Sequence, residues 1–462
     1  MIAGCMGTDT VAGSATATGT ASVSTMVQNT TQTGTGSAGS PPSGNPPGGS
    51  LHRGSPPGPS SGSSSYTFSG IYTLDGGTAT ESGAKYISTA TDVSGVYVTN
   101  GGTLALTNPT IVTSGNTSAS DASSFFGLNG AVLADNGSTV TINGGTITST
   151  GSGANGAIPT GAGTSISLTD VTIKASGDGG HGVMATNGGT LILTNVDIAT
   201  TGSHGAPIAT DRGSGTVTVT GGTVTSTGTD SPGIYSTGKI SVTGAKITST
   251  GTEAAVIEGF NSITLADTAL SGGVAKTGGV MIYQSFSGDA ATGTGTFTMN
   301  GGSFTAVAGP AFFITNTNAS IMLKGVNVTD ISGTLIKASA TDRWGTTGSN
   351  GGTVAFTADG EIMAGSLLAD SMSSITATLK NNSSLTGSIN SAALNLDATS
   401  TWNVTGDSIL TSLSDAGGIS GTTVTNINGN GHTVTYDKSL DADSGLGGKT
   451  YTLANGGTLT PK

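Results

Sequence analysis

Cysteine, charge and aromatic side chains are all scarce in this chain, and each scarcity removes a class of protein. A single cysteine, Cys5, in 462 residues means that no disulfide can close within one chain and no cysteine cluster can hold a metal. Charged residues make up 9% of the sequence and aromatic residues 4%, a composition unlike an ordinary globular enzyme or a membrane bundle. Only three arginines are present, Arg53, Arg212 and Arg343, and the net charge of −12 excludes the clustered basic surface that nucleic acid requires. No apolar run approaches the roughly 18 residues that a membrane-spanning helix needs.

Glycine is abundant instead, at 79 residues, and the apolar third of the sequence is placed periodically. A four-residue phrase keeps restarting, at Thr103, Thr139, Ser165, Thr190, Thr216, Lys239, Ser262, Thr296 and Ser320. The intervals are 36, 26, 25, 26, 23, 23, 34 and 24 residues, so a unit of about two dozen residues is interrupted by insertions. A unit of that length built from strands and turns is one coil of a β-solenoid.

Counting from each start locates the parts of a coil. Positions +1 and +3 are apolar and +2 and +4 mostly polar, the period-2 signature of a half-buried strand. Position +5 is Asn108, Gly144, Asp170, Asn195, Gly221, Gly244, Asp267, Gly301 and Gly325. Those three residue types best tolerate a left-handed backbone, so a sharp corner is expected there. Position +8 is apolar from Ile111 to Val328 and predicts a second inward-facing strand. A third short apolar group follows, as in Gly182-Val183-Met184-Ala185 and Gly233-Ile234-Tyr235-Ser236. Three strands per coil, each pairing with its equivalents above and below, make a triangular prism with three parallel sheets.

The stretch Gly180-His181-Gly182-Val183-Met184-Ala185-Thr186-Asn187-Gly188-Gly189-Thr190-Leu191-Ile192-Leu193-Thr194-Asn195, with Ser231-Pro232-Gly233-Ile234-Tyr235-Ser236-Thr237-Gly238, resembles the passenger domains of pertactin-like autotransporter adhesins. The resemblance covers roughly residues 95 to 440 and implies an all-β fold, a right-handed single-stranded parallel β-helix of the pectate-lyase-like architecture. Right-handedness also follows the general rule for parallel crossovers. The expected organisation is a remnant signal segment over 1–5, a disordered Ser/Thr/Gly/Pro-rich tether over 6–65, a parallel β-helix over 66–366, and shorter C-terminal coils with a cap over 367–462. Ile2-Ala3-Gly4-Cys5 resembles a bacterial lipobox, which implies lipidation of Cys5. A translocator barrel like that of the autotransporters is not found within the 462 residues.

Many parallel β-helices cleave polysaccharides, and one short motif of this chain bears on that chemistry. Gly180-His181-Gly182 matches a short motif of polygalacturonase-like hydrolases, yet the sequence has no Asp-Asp pair and no Arg-x-Lys to accompany it. His181 therefore reads as filling a corner. Asp211, Arg212, Asp230 and Glu258 fall near equivalent points of neighbouring coils and read as solvated loop charges rather than a calcium site. Outward hydroxyls, Thr141, Ser167, Thr218, Ser241, Thr264 and Thr298, form a row on the first sheet that would suit ice binding or merely keep a sheet soluble.

These readings converge on a non-catalytic secreted or surface-displayed β-helix, adhesin-like, that presents insertion loops to a host or neighbouring cell, to matrix or to glycan. A polysaccharide lyase or hydrolase is the alternative, and ice binding a second one. The insertions after Gly115, Lys276 and Lys337 supply the candidate contact residues Phe125, Phe126, Tyr283, Phe286, Arg343 and Trp344, because irregular loops on a rigid scaffold collect function. No catalytic residue, metal or cofactor is expected, and no nucleic-acid partner. A monomer is expected, outside the cell or on a bacterial outer surface, touching a membrane only through a lipid on Cys5.

Overall fold

The computed structural model of the chain describes residues 30–33, 65–415 and 417–462. Cys5 and most of the stretch 6–65 lie outside the described residues. One part of that stretch is described. Thr30–Thr33 forms a strand antiparallel to the start of Ser65–Asp75, with Thr30 opposite Phe68 and Thr33 opposite Ser65. The first coil of a solenoid presents an open strand edge, and a short antiparallel strand laid on it satisfies part of that edge.

From Ser65 onward the chain winds as a parallel β-helix with three strands per coil. Ser165–Thr169, Thr172–Ala175 and Val183–Ala185 make one such coil. The first of them pairs in parallel with Thr139–Asn143 on one side and Thr190–Thr194 on the other, and the second and third behave likewise. Register is strict because a one-residue slip would turn every apolar side chain outward. The first-strand row Val140, Ile166, Leu191, Val217, Ile240 and Ile263 is buried throughout, as is the second-strand row Ile111, Ile147, Ile173, Ile198, Val224, Ile247 and Leu270. The third strands add Val183, Ile208 and Ile234, completing a core that is continuous from Tyr72 to Leu459.

The corners fall where the repeat places them. All nine residues at position +5 have positive φ, from 47° at Asp267 to 68° at Gly144. Asparagine or aspartate in one coil often lies over glycine in the next, and the reason is steric. A Cβ on Gly221 would stand 2.6 Å from Asn195 Oδ1, and one on Gly301 would stand 2.4 Å from Asp267 Oδ1.

Beyond Asn327–Asp330 the pattern changes. The ten-strand sheet of second strands ends there, and a new set begins at Ile362–Ala364. Glu361, 1% exposed, fills the gap by accepting the Val326 N–H at 2.9 Å. Farther on, Ile389–Leu396 is one strand that pairs with both Ser366–Ala369 and Ser374–Lys380, so a loop is lost and the coil shortens. The end is closed by the antiparallel hairpin of Tyr451–Ala454 and Thr458–Pro461, and by a short 3-10 helix at Asp441–Leu446. Asp443 is buried there, accepting the Leu413 N–H at 2.9 Å, while Tyr436 donates to the Lys449 carbonyl at 2.8 Å. These polar groups therefore serve the cap.

Midway along, three phenylalanines from the three sheets meet at the axis. Phe312 stands 5.4 Å from Phe297 and 5.3 Å from Phe304, ring centre to ring centre. Phe312→Ala should cost about 3–5 kcal/mol, as for buried aromatic truncations generally, whereas Thr218→Ala on the exposed face should stay within about 0.5 kcal/mol. Urea unfolding of the two variants beside the parent checks both figures.

Candidate functional site

The three sheets differ on their outer sides, and that difference locates the site. Outward positions of the first sheet carry threonine and serine, with Ile192 at 46% exposure as a break in the row. Outward positions of the third sheet are apolar: Leu133, Ile158, Met184, Ala209, Tyr235, Val256, Met281 and Phe313. An apolar outer row must be covered, and the insertions are what cover it.

Near the N-terminal end the insertion after Gly115 folds into a helix, Ser120–Phe126, ended by Gly127 with φ 80°. Its Ala122 and the following Leu128 lie against Leu133, Ile158, Met184 and Ala209. Thr186 and Asn187, at the end of a third strand, donate to the Phe125 carbonyl at 3.0 and 2.7 Å and hold the helix end down. The insertion at 284–293 is anchored through Glu258, which is 1% exposed. Tyr235 and Tyr283 donate to one carboxylate oxygen at 2.6 and 3.1 Å; Ser285 and Ser287 donate to the other. In the third insertion, Asn350 donates to the Thr341 and Trp344 carbonyls and closes a loop. That loop sets Trp344 5.0 Å from the Tyr283 ring, with the Arg343 guanidinium 4.7 Å over the indole.

Arg212 ties the first insertion to the second. Its guanidinium lies 3.8 Å over the Phe125 ring and donates from Nε and an Nη to Asp289 Oδ1 at 3.1 and 2.8 Å. Asp211 beside it is pushed up to about 7, first by burial and then by the Asp289 carboxylate. The Arg212 N–H, 2.7 Å away, and the Arg212 charge oppose that shift without cancelling it. This corrects the expectation of solvated loop charges for Arg212, Asp211 and Glu258. Glu258 is buried and Asp211 and Arg212 are half-buried, in a polar network that two insertions lie over. Asp230 alone keeps the expected exposure, in a 3.6 Å surface pair with His204.

Between the loops leading into the third strands and the third insertion runs a groove of about 510 Å³. Tyr235, Val256, Met281 and Tyr283 line its floor, His204, Asp230, Glu253 and Lys276 its rim, and Trp344 with Arg343 one end. It extends along the solenoid axis over successive coils, each rising about 4.8 Å. His181 lies at the far end, held neutral by burial with its pKa pushed down to about 4. The Nδ1 of His181 lies 3.1 Å from the amide oxygen of Asn155 and not against a carboxylate, as befits a corner residue. Among the described residues no three His, Cys, Asp or Glu side chains converge as metal ligands.

Of the contact residues expected from sequence, Tyr283, Arg343 and Trp344 come together in this groove. Phe125 is turned away from solvent. It is 3% exposed, beneath Arg212, because the helix turns it inward. Phe126 is half-buried against Tyr66, 6.0 Å between ring centres. Phe286 is 71% exposed but lies outside the groove lining. Tyr235, Val256, Met281 and Lys276 were not singled out from sequence. The signal for the first three was present, since runs such as Ala255-Val256-Ile257 carry consecutive apolar residues that a one-sided strand would not need. No protein-family model, curated protein or solved structure matches the chain.

Asp211 makes a pH prediction whose sign is fixed by linkage. Its pKa is raised above the ordinary 3.8, so between 3.8 and about 7 the folded protein holds a proton that the unfolded chain has lost. Its contribution therefore lowers stability progressively as pH rises through that window, and levels off above it. Asp211→Asn should remove this component, so the stability difference between variant and parent should grow in the variant's favour from pH 4 to pH 7, as read by urea unfolding. A difference that stays flat across that range would show that Asp211 titrates normally.

Proposed function

We propose that the chain is a non-catalytic, surface-displayed or secreted β-helix, adhesin-like, that binds a linear glycan along the groove of its third face. The observation that carries the proposal is the convergence of Tyr283, Trp344 and Arg343 with Tyr235 over an elongated, polar-rimmed groove. Aromatic faces take up the C–H side of sugar rings, and rim carboxylates, amines and imidazoles answer the hydroxyls. A groove that follows the axis suits a polymer better than a single compact ligand. Display outside the cell accords with the single cysteine, with the low charge and with a lipid on Cys5, which would hold the solenoid away from a membrane by a long Ser/Thr/Gly/Pro stretch.

Cleavage of the glycan is the second reading, and Asp211 is the observation in its favour. A carboxyl group at about 7 near Glu258 and Asp289 lies in the range of a general acid. Two facts weigh against it. Glu258 already accepts from four hydroxyls and Asp289 from Arg212, and Asp211 is not part of the groove lining.

A glycan array probed with the full chain tests the proposal. Trp344→Ala should weaken binding of the retained glycan by roughly 30-fold, on the scale of about 2 kcal/mol for truncating an aromatic anchor. No retained glycan from folded protein would sink the reading. Release of new reducing ends from that glycan, abolished by Asp211→Asn, would replace it with the hydrolytic one.

A further inference from the structure

A second recess lies around the corner from the groove, where the third sheet passes into the first. The bend at residues 259–261 connects Ala255–Glu258 to Ser262–Ala266. The insertion 284–293 lies beside this bend, and Phe260 donates its N–H to the Ala291 carbonyl at 2.8 Å while Gly259 donates to that of Tyr283 at 2.9 Å. Bend, insertion and the outward side of the first sheet enclose a recess of about 700 Å³. Phe260, Asn261, Lys239 and Asp289 line it, with Thr264 and Thr296 from the first sheet.

Each of these groups has an unused capacity. Phe260 is 67% exposed although its backbone is fixed by the bend. The Asn261 amide nitrogen donates to the Glu258 carbonyl at 2.6 Å, which leaves its oxygen free to accept. Asp289 accepts from Arg212 Nε and Nη2 on Oδ1, which leaves Oδ2 as a further acceptor. Lys239 makes no ion pair among the described residues and keeps its three donors.

We infer that this recess binds a single neutral pyranose, independently of the groove. The Phe260 ring offers a face for the apolar side of a sugar ring. Asp289 Oδ2 and Asn261 Oδ1 accept from neighbouring hydroxyls, and Lys239 donates to a ring or glycosidic oxygen. The lining carries one cation, Lys239, and one anion, Asp289, so it has no net charge of its own to select a charged sugar.

Isothermal titration of the full chain with the methyl glycosides of glucose, mannose and galactose tests this inference. Saturable binding of at least one, with Kd on the order of millimolar, is expected for so small a ligand. Phe260→Ala should weaken it at least tenfold. Thr264→Arg, which fills the recess from the sheet without touching the bend, should do the same, whereas Trp344→Ala should leave it unchanged. No saturable binding by folded protein would overturn the site, as would binding that both recess variants leave intact. Loss of binding in Trp344→Ala would place the sugar in the groove instead. Tighter binding of a methyl hexuronate than of the neutral sugars would overturn the ligand class.

Discussion

In-register parallel pairing between successive coils is the constraint on which the rest of this protein depends. Each strand must meet its equivalents about 4.8 Å above and below with the same side chains inward, so the corner after the first strand recurs at one place in the coil. The left-handed residues at Asn108, Gly144, Asp170 and their successors keep that place. Length variation is consequently expelled to the other two connections, and all three large insertions leave the solenoid near its third sheet.

That placement gives the third sheet its character. On the first sheet a threonine or serine row meets water without a cover. On the third, the row from Leu133 to Phe313 is apolar, and the helix Ser120–Phe126 and the loop bearing Trp344 lie over its two ends. Between those ends the row forms the floor of the groove, where Val256 and Met281 are buried and Tyr235 is half-buried. That floor is the same kind of surface that the insertions bury elsewhere.

Holding the insertions in place requires buried charge, which is costly unless every lone pair finds a partner. Glu258 meets that condition with four hydroxyl donors. Arg212 joins Asp289 to the face of Phe125 and so links segments separated by 77 residues. Asp211 meets the condition by staying protonated up to about 7. With both of its oxygens occupied, the Glu258 carboxylate rigidifies the face it underlies and is poorly suited to proton transfer.

The Thr-Val-Thr-Ile type of phrase, the residues at its +5 corner and the apolar +8 row determined the fold, because a period of 2 within strands and of about 24 between coils is a local property of the chain. The sequence likewise marked the three insertions as departures from that period. Only the tertiary structure decided which of their residues face solvent. Phe125 and Trp344 look alike in sequence, as aromatic residues in irregular loops, yet a helix turns one under Arg212 and a closed loop sets the other beside Tyr283. The groove floor and the Arg212–Asp289 link join residues far apart in the chain, and such contacts depend on how coils stack and where loops fold back, which no local pattern encodes.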